Sequence, residues 1–350
     1  MRRMKKLWLL DNSQIDKVNF VKLLLIALFS FSTFAGTLDI VKKRGKVRCG
    51  VSTGLAGFSS PDSKGNWRGL DVDFCRAVAA AIFNDPSKVD YVSLNAQQRF
   101  TALQSGEIDL LSRNTTHNLS RDTQMGINFA PVVFYDGQGF MVRKKDGVKS
   151  AKDLDGASVC TQQGTTTELN MADFFRANRL KLKPVVFESN EEVNQSFIKG
   201  RCDALTTDKS GLASERSKMK KPNDYLILPE IISKEPLAPA VRHGDDQWLD
   251  VVKWSIYAVI EAEELNINSK NIKNFLRSKN PRIRRFLGIS RGNGKALGLE
   301  ESWAKQIITH VGNYSEIFER HVGKNSPLKL DRGLNNLWTK GGLLYAPPIR

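Results

Sequence analysis

Histidine and cysteine are scarce in this chain, four of each among 350 residues. No histidine stands with cysteines or carboxylates at a common metal-ligand spacing, and no Ser-His-Asp order stands out. The sequence therefore offers neither a metal centre nor a catalytic triad, and no cofactor is called for. The N-terminal apolar run, Leu23 to Phe29, is too short to cross a bilayer. No cysteine follows it to carry a lipid anchor.

Negative charge is also in short supply: 37 acidic against 53 basic side chains leave a net charge of +16. Residues 1–35 hold six basic and two acidic side chains, so the remainder carries +12. These basic residues are dispersed through Lys42, Lys149, Lys181, Lys218, Lys270 and Arg284 rather than tied to a recognition motif. That pattern argues against a nucleic-acid partner and for a solvated basic surface near anionic lipids. Hydrophobic residues at 41% and charged residues at 26% are ordinary for a globular protein, and the length allows two or three compact units.

The N-terminus places Arg2, Arg3, Lys5, Lys6, Lys17 and Lys22 ahead of the apolar run, which ends in the small-residue stretch Ser30 to Gly36. This order describes an export signal over residues 1–35, cleaved after Ala35. An oxidising destination favours disulfides among Cys49, Cys75, Cys160 and Cys202. Three connectivities are possible, and Cys49–Cys75 with Cys160–Cys202 is the one that keeps each bridge within one lobe of the architecture described next.

A short pattern occurs twice. Ser105-Gly106-Glu107-Ile108-Asp109-Leu110-Leu111-Ser112-Arg113-Asn114 is echoed 94 residues later by Lys199-Gly200-Arg201-Cys202-Asp203-Ala204-Leu205-Thr206-Thr207-Asp208. A glycine turn before an apolar run reads as a buried strand, and the closing polar residue, Asn114 or Asp208, falls at its carboxyl end. In open α/β sheets that end faces the ligand crevice. Two βαβαβ blocks follow from the patterning. The first has strands 46–51, 90–94 and 108–112 with helices 73–83 and 97–104. The second has strands 158–161, 184–187 and 202–207 with helices 166–177 and 191–199. Extended passages at 137–143 and 230–242 read as crossings between two lobes. The lobes are then residues 36–139 with 241–350, the latter including a C-terminal helical extension, and residues 140–240. Helical patterns run on from Asp245 and over 300–320.

Thr165 and Glu168 have capping-box spacing after a strand, and such a helix start can hold an anion. Arg121 is suited to a carboxylate and Asp208 to an ammonium group. Together they describe a receptor for a zwitterion.

The segments Gly69-Leu70-Asp71-Val72-Asp73-Phe74-Cys75-Arg76-Ala77-Val78-Ala79, Arg99 to Asp109, Gln163-Gly164-Thr165-Thr166-Thr167-Glu168-Leu169-Asn170 and Leu337-Trp338-Thr339-Lys340-Gly341-Gly342 carry a resemblance. Across residues 38–350 the chain resembles the periplasmic solute-binding proteins of polar amino-acid ABC transporters, general L-amino-acid-binding subgroup. The resemblance implies a two-lobed α/β fold, the type II periplasmic binding protein fold. It also implies a monomer that captures an L-amino acid and delivers it to an inner-membrane ABC permease. By the same resemblance Arg121, with backbone at Thr116 and Thr166, grips the α-carboxylate, and Asp208, assisted by Asn114, binds the α-ammonium. Arg113 and Phe58 are assigned to the pocket wall. Ser52 and Leu55 stand where basic-amino-acid binders carry an acid and a ring, so acidic and amide side chains are expected instead. His117 replaces an expected aromatic. The competing reading is an exported enzyme on the same fold, a dehydratase or a peptidoglycan lytic enzyme, with Glu301-Ser302 as its weak signal.

Overall fold

A computed structural model describes residues 36–350; the export signal expected over 1–35 lies outside the described residues. Both copies of the repeat fold in the same way. Gly106 and Gly200 each turn the chain at φ 79°, a left-handed conformation that glycine adopts without a side-chain clash. Asp109 then accepts from the Arg48 amide at 2.8 Å, and Asp203 accepts from the Ser158 amide at 2.7 Å. Each aspartate thereby ties its strand to the start of the neighbouring one.

The strand order repeats as well. One sheet runs Val89–Leu94, Val47–Ser52, Leu110–Leu111, Ala240–Arg242, Ile127–Phe129. The other runs Lys183–Phe187, Ser158–Gln162, Ala204–Asp208, Phe134–Arg143, Tyr225–Ile227, with Ser233–Leu237 also paired to Phe134–Arg143. In both, three parallel strands are followed by an antiparallel one. The blocks predict the parallel part; the antiparallel strands come from the passages between lobes. Backbone bonds from Asp109 to Arg48 and from Ser112 to Gly50 extend the pairing beyond the two residues of Leu110–Leu111.

Three expected elements differ. The first helix is Leu70–Phe83, starting before Asp73. It begins after Gly69, at φ 136°, where a Cβ would lie 2.0 Å from the Phe58 carbonyl oxygen. Asp73 instead pairs with Arg76 and His321. The expected helix over 300–320 is two helices, Trp303–His310 and Tyr314–His321, broken at Gly312 (φ 95°) and restarted by an Asn313–Glu316 capping box. Thr165 caps helix Thr166–Ala177 by accepting from the Glu168 amide, but the Glu168 carboxylate returns to the Gly164 amide.

The apolar stripe of helix Asp246–Glu264 buries Trp248, Val251, Val252, Ile256 and Val259 beside Phe74, Tyr314 and Phe318. Each such side chain contributes roughly 1.5–3 kcal/mol. The Trp248 indole donates to the Asp109 carbonyl at 2.9 Å, so the core also braces the repeat strand. Cys49–Cys75 and Cys160–Cys202 are the two disulfides, with Cα separations of 6.2 and 5.7 Å, one beside each sheet. No helix among the described residues is long and apolar enough to cross a membrane.

Candidate functional site

The carboxyl ends of the two repeat strands meet at one cavity, lined by Ser52, Leu55, Arg99, Arg113, Asn114, Thr116, Thr166 and Asp208 among others. Residues from both halves of the chain wall it.

Asn114, at φ 33°, is held by its amide donating to Asp71 at 2.9 Å. Its Oδ1 is buried without a partner. Asp208 begins helix Lys209–Lys218, yet its side chain makes no capping bond. The carboxyl is left to face the cavity, where burial, then Asp136 and Glu235, hold its pKa well above the usual carboxylate range against the pull of Arg121 and Arg99. Burial likewise pushes Asp136 up to about 6.

Three arginines gather opposite. Arg99, Arg113 and Arg121 are 3%, 4% and 5% exposed. Burial lowers Arg113 and Arg121 to about 10, leaving both charged at neutral pH, and it lowers Arg99 further with help from the other two guanidinium groups. Arg121 is positioned by the short helix Leu119–Gln124, where Asn118 caps the Arg121 amide at 3.0 Å. Its guanidinium donates to the Thr116 carbonyl at 2.9 Å and lies over the Phe100 ring, behind the residues that line the cavity. Arg113 spends its Nε on the Leu94 carbonyl, leaving the rest of the fork at the cavity wall. Arg99 has a buried Nε without a partner.

Below them sits Glu235, 0% exposed. Its Oε2 accepts from Thr116 at 2.6 Å and from Thr166 at 2.9 Å, and its Oε1 accepts from Asn170 and Ser233.

Of the residues assigned from sequence, Asn114, Thr116, Thr166, Arg113 and Asp208 line one cavity, with Arg121 directly behind Thr116. Phe58 is a correction: it is fully buried with its ring edge-on to Phe134, centroids 5.3 Å apart, and is not among the lining residues. An apolar ring gains more from that core than from a polar wall. His117 takes the place of the expected aromatic by stacking on Phe129 at 4.4 Å. Glu301 is occupied with capping the Gly292 and Gly294 amides, away from the cavity. Sequence reasoning missed Arg99 and Glu235. Arg99 opens the motif that runs to Asp109, and an acidic residue in a crossing strand was a signal for Glu235. Among the described residues no group of three His, Cys, Asp or Glu side chains could hold a metal ion.

Residues 47–273 match the family described as bacterial extracellular solute-binding proteins, family 3. Over 327 residues the chain is 58% identical to the general L-amino acid-binding periplasmic protein AapJ of Rhizobium johnstonii, covering 93% of this chain and 96% of that one. It is 52% identical to the glutamate/glutamine/aspartate/asparagine-binding protein BztA of Rhodobacter capsulatus, covering 95% and 98%. A solved ABC transporter periplasmic binding protein of Brucella ovis with glutathione bound superposes at a TM-score of 0.89 with 55% identity, covering 90% of this chain and all of that one.

Proposed function

The chain belongs to the bacterial extracellular solute-binding proteins of family 3, and from that premise we propose that its two lobes close around one L-amino acid and deliver it to an inner-membrane ABC permease. It acts as an exported monomeric binding protein, not an enzyme, and the signal is removed near Ala35. The lobes are residues 36–139 with 241–350, and residues 140–240. They hinge where the chain enters strand Phe134–Arg143 and leaves strand Ser233–Leu237.

Arg121, with Thr116 and Thr166, takes the α-carboxylate. Asp208 and Asn114 take the α-ammonium, which supplies the positive charge that a buried carboxylate needs. Arg113 and Arg99 face the side chain and favour acidic and amide ligands, while Ser52 and Leu55 offer a cationic side chain no partner. The observation that carries this reading is the set of three buried arginines around one uncapped aspartate. The glutathione of the Brucella ovis structure brings in a second ligand class, in which glutamate is extended through its γ-carboxyl. A thermal-shift and calorimetric screen of the mature protein against L- and D-amino acids tests the function. Glutamate, glutamine, aspartate and asparagine should bind well, and absence of binding by any L-amino acid would overturn it.

A further inference from the structure

A second cleft adjoins the amino-acid cavity and shares two of its walls, Asn190 and Glu215. The first space measures about 550 Å³ and the second about 960 Å³, open water included. The second is lined further by Thr53, Gly54, Asn194 and Lys218. Thr53 and Gly54 directly follow Ser52, on the side of the first cavity assigned to the ligand side chain. A side chain that outgrows the first cavity is therefore directed toward the second.

The partition between them is polar and thin. Asn190 donates to Glu215 at 2.8 Å, Lys218 donates to the same carboxylate at 3.1 Å, and Lys218 also reaches across to the Gly54 carbonyl at 3.1 Å. Behind this screen Asn194 is 9% exposed, and its Oδ1 is buried without a partner. A buried unpartnered acceptor is disfavoured unless something donates to it.

We propose that this second cleft is a subsite for the part of a ligand beyond a γ-glutamyl carbonyl, so that the protein takes γ-glutamyl peptides as well as free amino acids. The inference rests on the main-chain clamp proposed above. With the α-carboxylate held at Arg121 and the α-ammonium at Asp208, the side chain is the one direction in which a ligand can grow. An α-linked peptide would lose the free carboxylate. The next residue of a γ-linked peptide adds at most ~3.3–3.6 Å of reach, which carries its polar groups into the Asn190–Glu215–Lys218 screen. There its amide N–H meets Asn194 Oδ1, and its terminal carboxylate meets the Lys218 ammonium.

The test is calorimetric titration of the mature protein with glutamate, γ-glutamylglycine and α-glutamylglycine, on wild type, Asn194→Leu and Gln195→Trp. Gln195 is an exposed rim residue of the cleft, so the indole fills the space while the core packing stays as it is. γ-Glutamylglycine should bind wild type within about tenfold of glutamate, and α-glutamylglycine should not bind. Asn194→Leu should weaken the γ-peptide about tenfold, the worth of one buried hydrogen bond, Gln195→Trp should weaken it by at least that factor by filling the cleft, and both should leave glutamate within about twofold. Glutamate binding without γ-peptide binding overturns the subsite alone, as does equal binding of the two peptides. A γ-peptide affinity untouched by Gln195→Trp also overturns it, whatever Asn194→Leu does to folding. Failure of both glutamate and the γ-peptide overturns the amino-acid reading beneath it.

Discussion

Thr116 and Thr166 approach each other from opposite sides of the cavity with their hydroxyl oxygens 3.2 Å apart, and both donate to the same oxygen of Glu235. Thr116 follows the first repeat strand and Thr166 opens the helix after strand Ser158–Gln162, while Glu235 lies on the crossing strand Ser233–Leu237. One buried carboxylate thus ties both halves of the chain to the crossing strand.

Glu235→Gln should therefore weaken every amino-acid ligand by a similar factor. A glutamine amide can accept at one position only, so two of the four donors on Glu235, either Thr116 and Thr166 or Asn170 and Ser233, face an N–H₂ group. Hydrogen bonds to a charged group contribute about 1.5–3 kcal/mol, a loss of roughly tenfold to a hundredfold. Calorimetry across glutamate, glutamine and alanine checks it; a loss confined to glutamate would assign Glu235 to side-chain selection.

Arg121→Ala should nearly abolish binding while the protein stays folded. The substitution removes the proposed carboxylate clamp and releases the Thr116 carbonyl that Arg121 holds. Losing one partner of a buried charge pair costs about 2–5 kcal/mol, thirtyfold or more. Unchanged affinity in a folded variant would rule the role out.

Arg113→Ala should separate ligands by charge. Glutamate and aspartate should lose more affinity than glutamine or alanine, by about 1.5–3 kcal/mol for the lost charge-assisted bond. Competition titration reads the difference, and a uniform change would make Arg113 a structural support for Leu94 and Asp71.

Affinity for a neutral amino acid should rise as pH increases through the acidic range, and Asp208→Asn should flatten that rise. Burial, Asp136 and Glu235 hold Asp208 protonated above the usual carboxylate range, against Arg121 and Arg99. An ammonium ligand favours the ionised form, so binding releases a proton until pH exceeds the raised value. Titrations in buffers of different ionisation enthalpy detect that proton. No release at any acidic pH would sink the ammonium assignment.

Stability should show the opposite trend at Asp71, whose pKa burial raises to about 7 despite the Asn114 amide and Arg113. Below its unfolded value of 3.8 it is protonated in both states. As pH rises the unfolded chain ionises first, so the contribution to stability shrinks until pH reaches the folded value. Asp71→Asn should match wild type near pH 4 and exceed it by up to about 4 kcal/mol near pH 8. Denaturant titration at the two pH values decides.

The chain's local signals were enough to determine its half-domains. Gly106 and Gly200 turn, Asp109 and Asp203 clip the adjacent strand, and Asn114 and Asp208 close at the cavity, because turns and strand ends depend on neighbours within a few residues. Helix Thr166–Ala177 was equally legible from its cap and apolar spacing. Other features waited for the tertiary structure. That Phe58 turns into the core against Phe134, that Arg99 stands beside Arg113 and Arg121, and that Glu235 gathers hydroxyls from residues 116 and 166 are all facts of long-range packing. An arginine in a helix or an acid in a strand reads in sequence as a solvated surface group. Only the fold decides that it is buried, and burial is what turns its charge into a binding force.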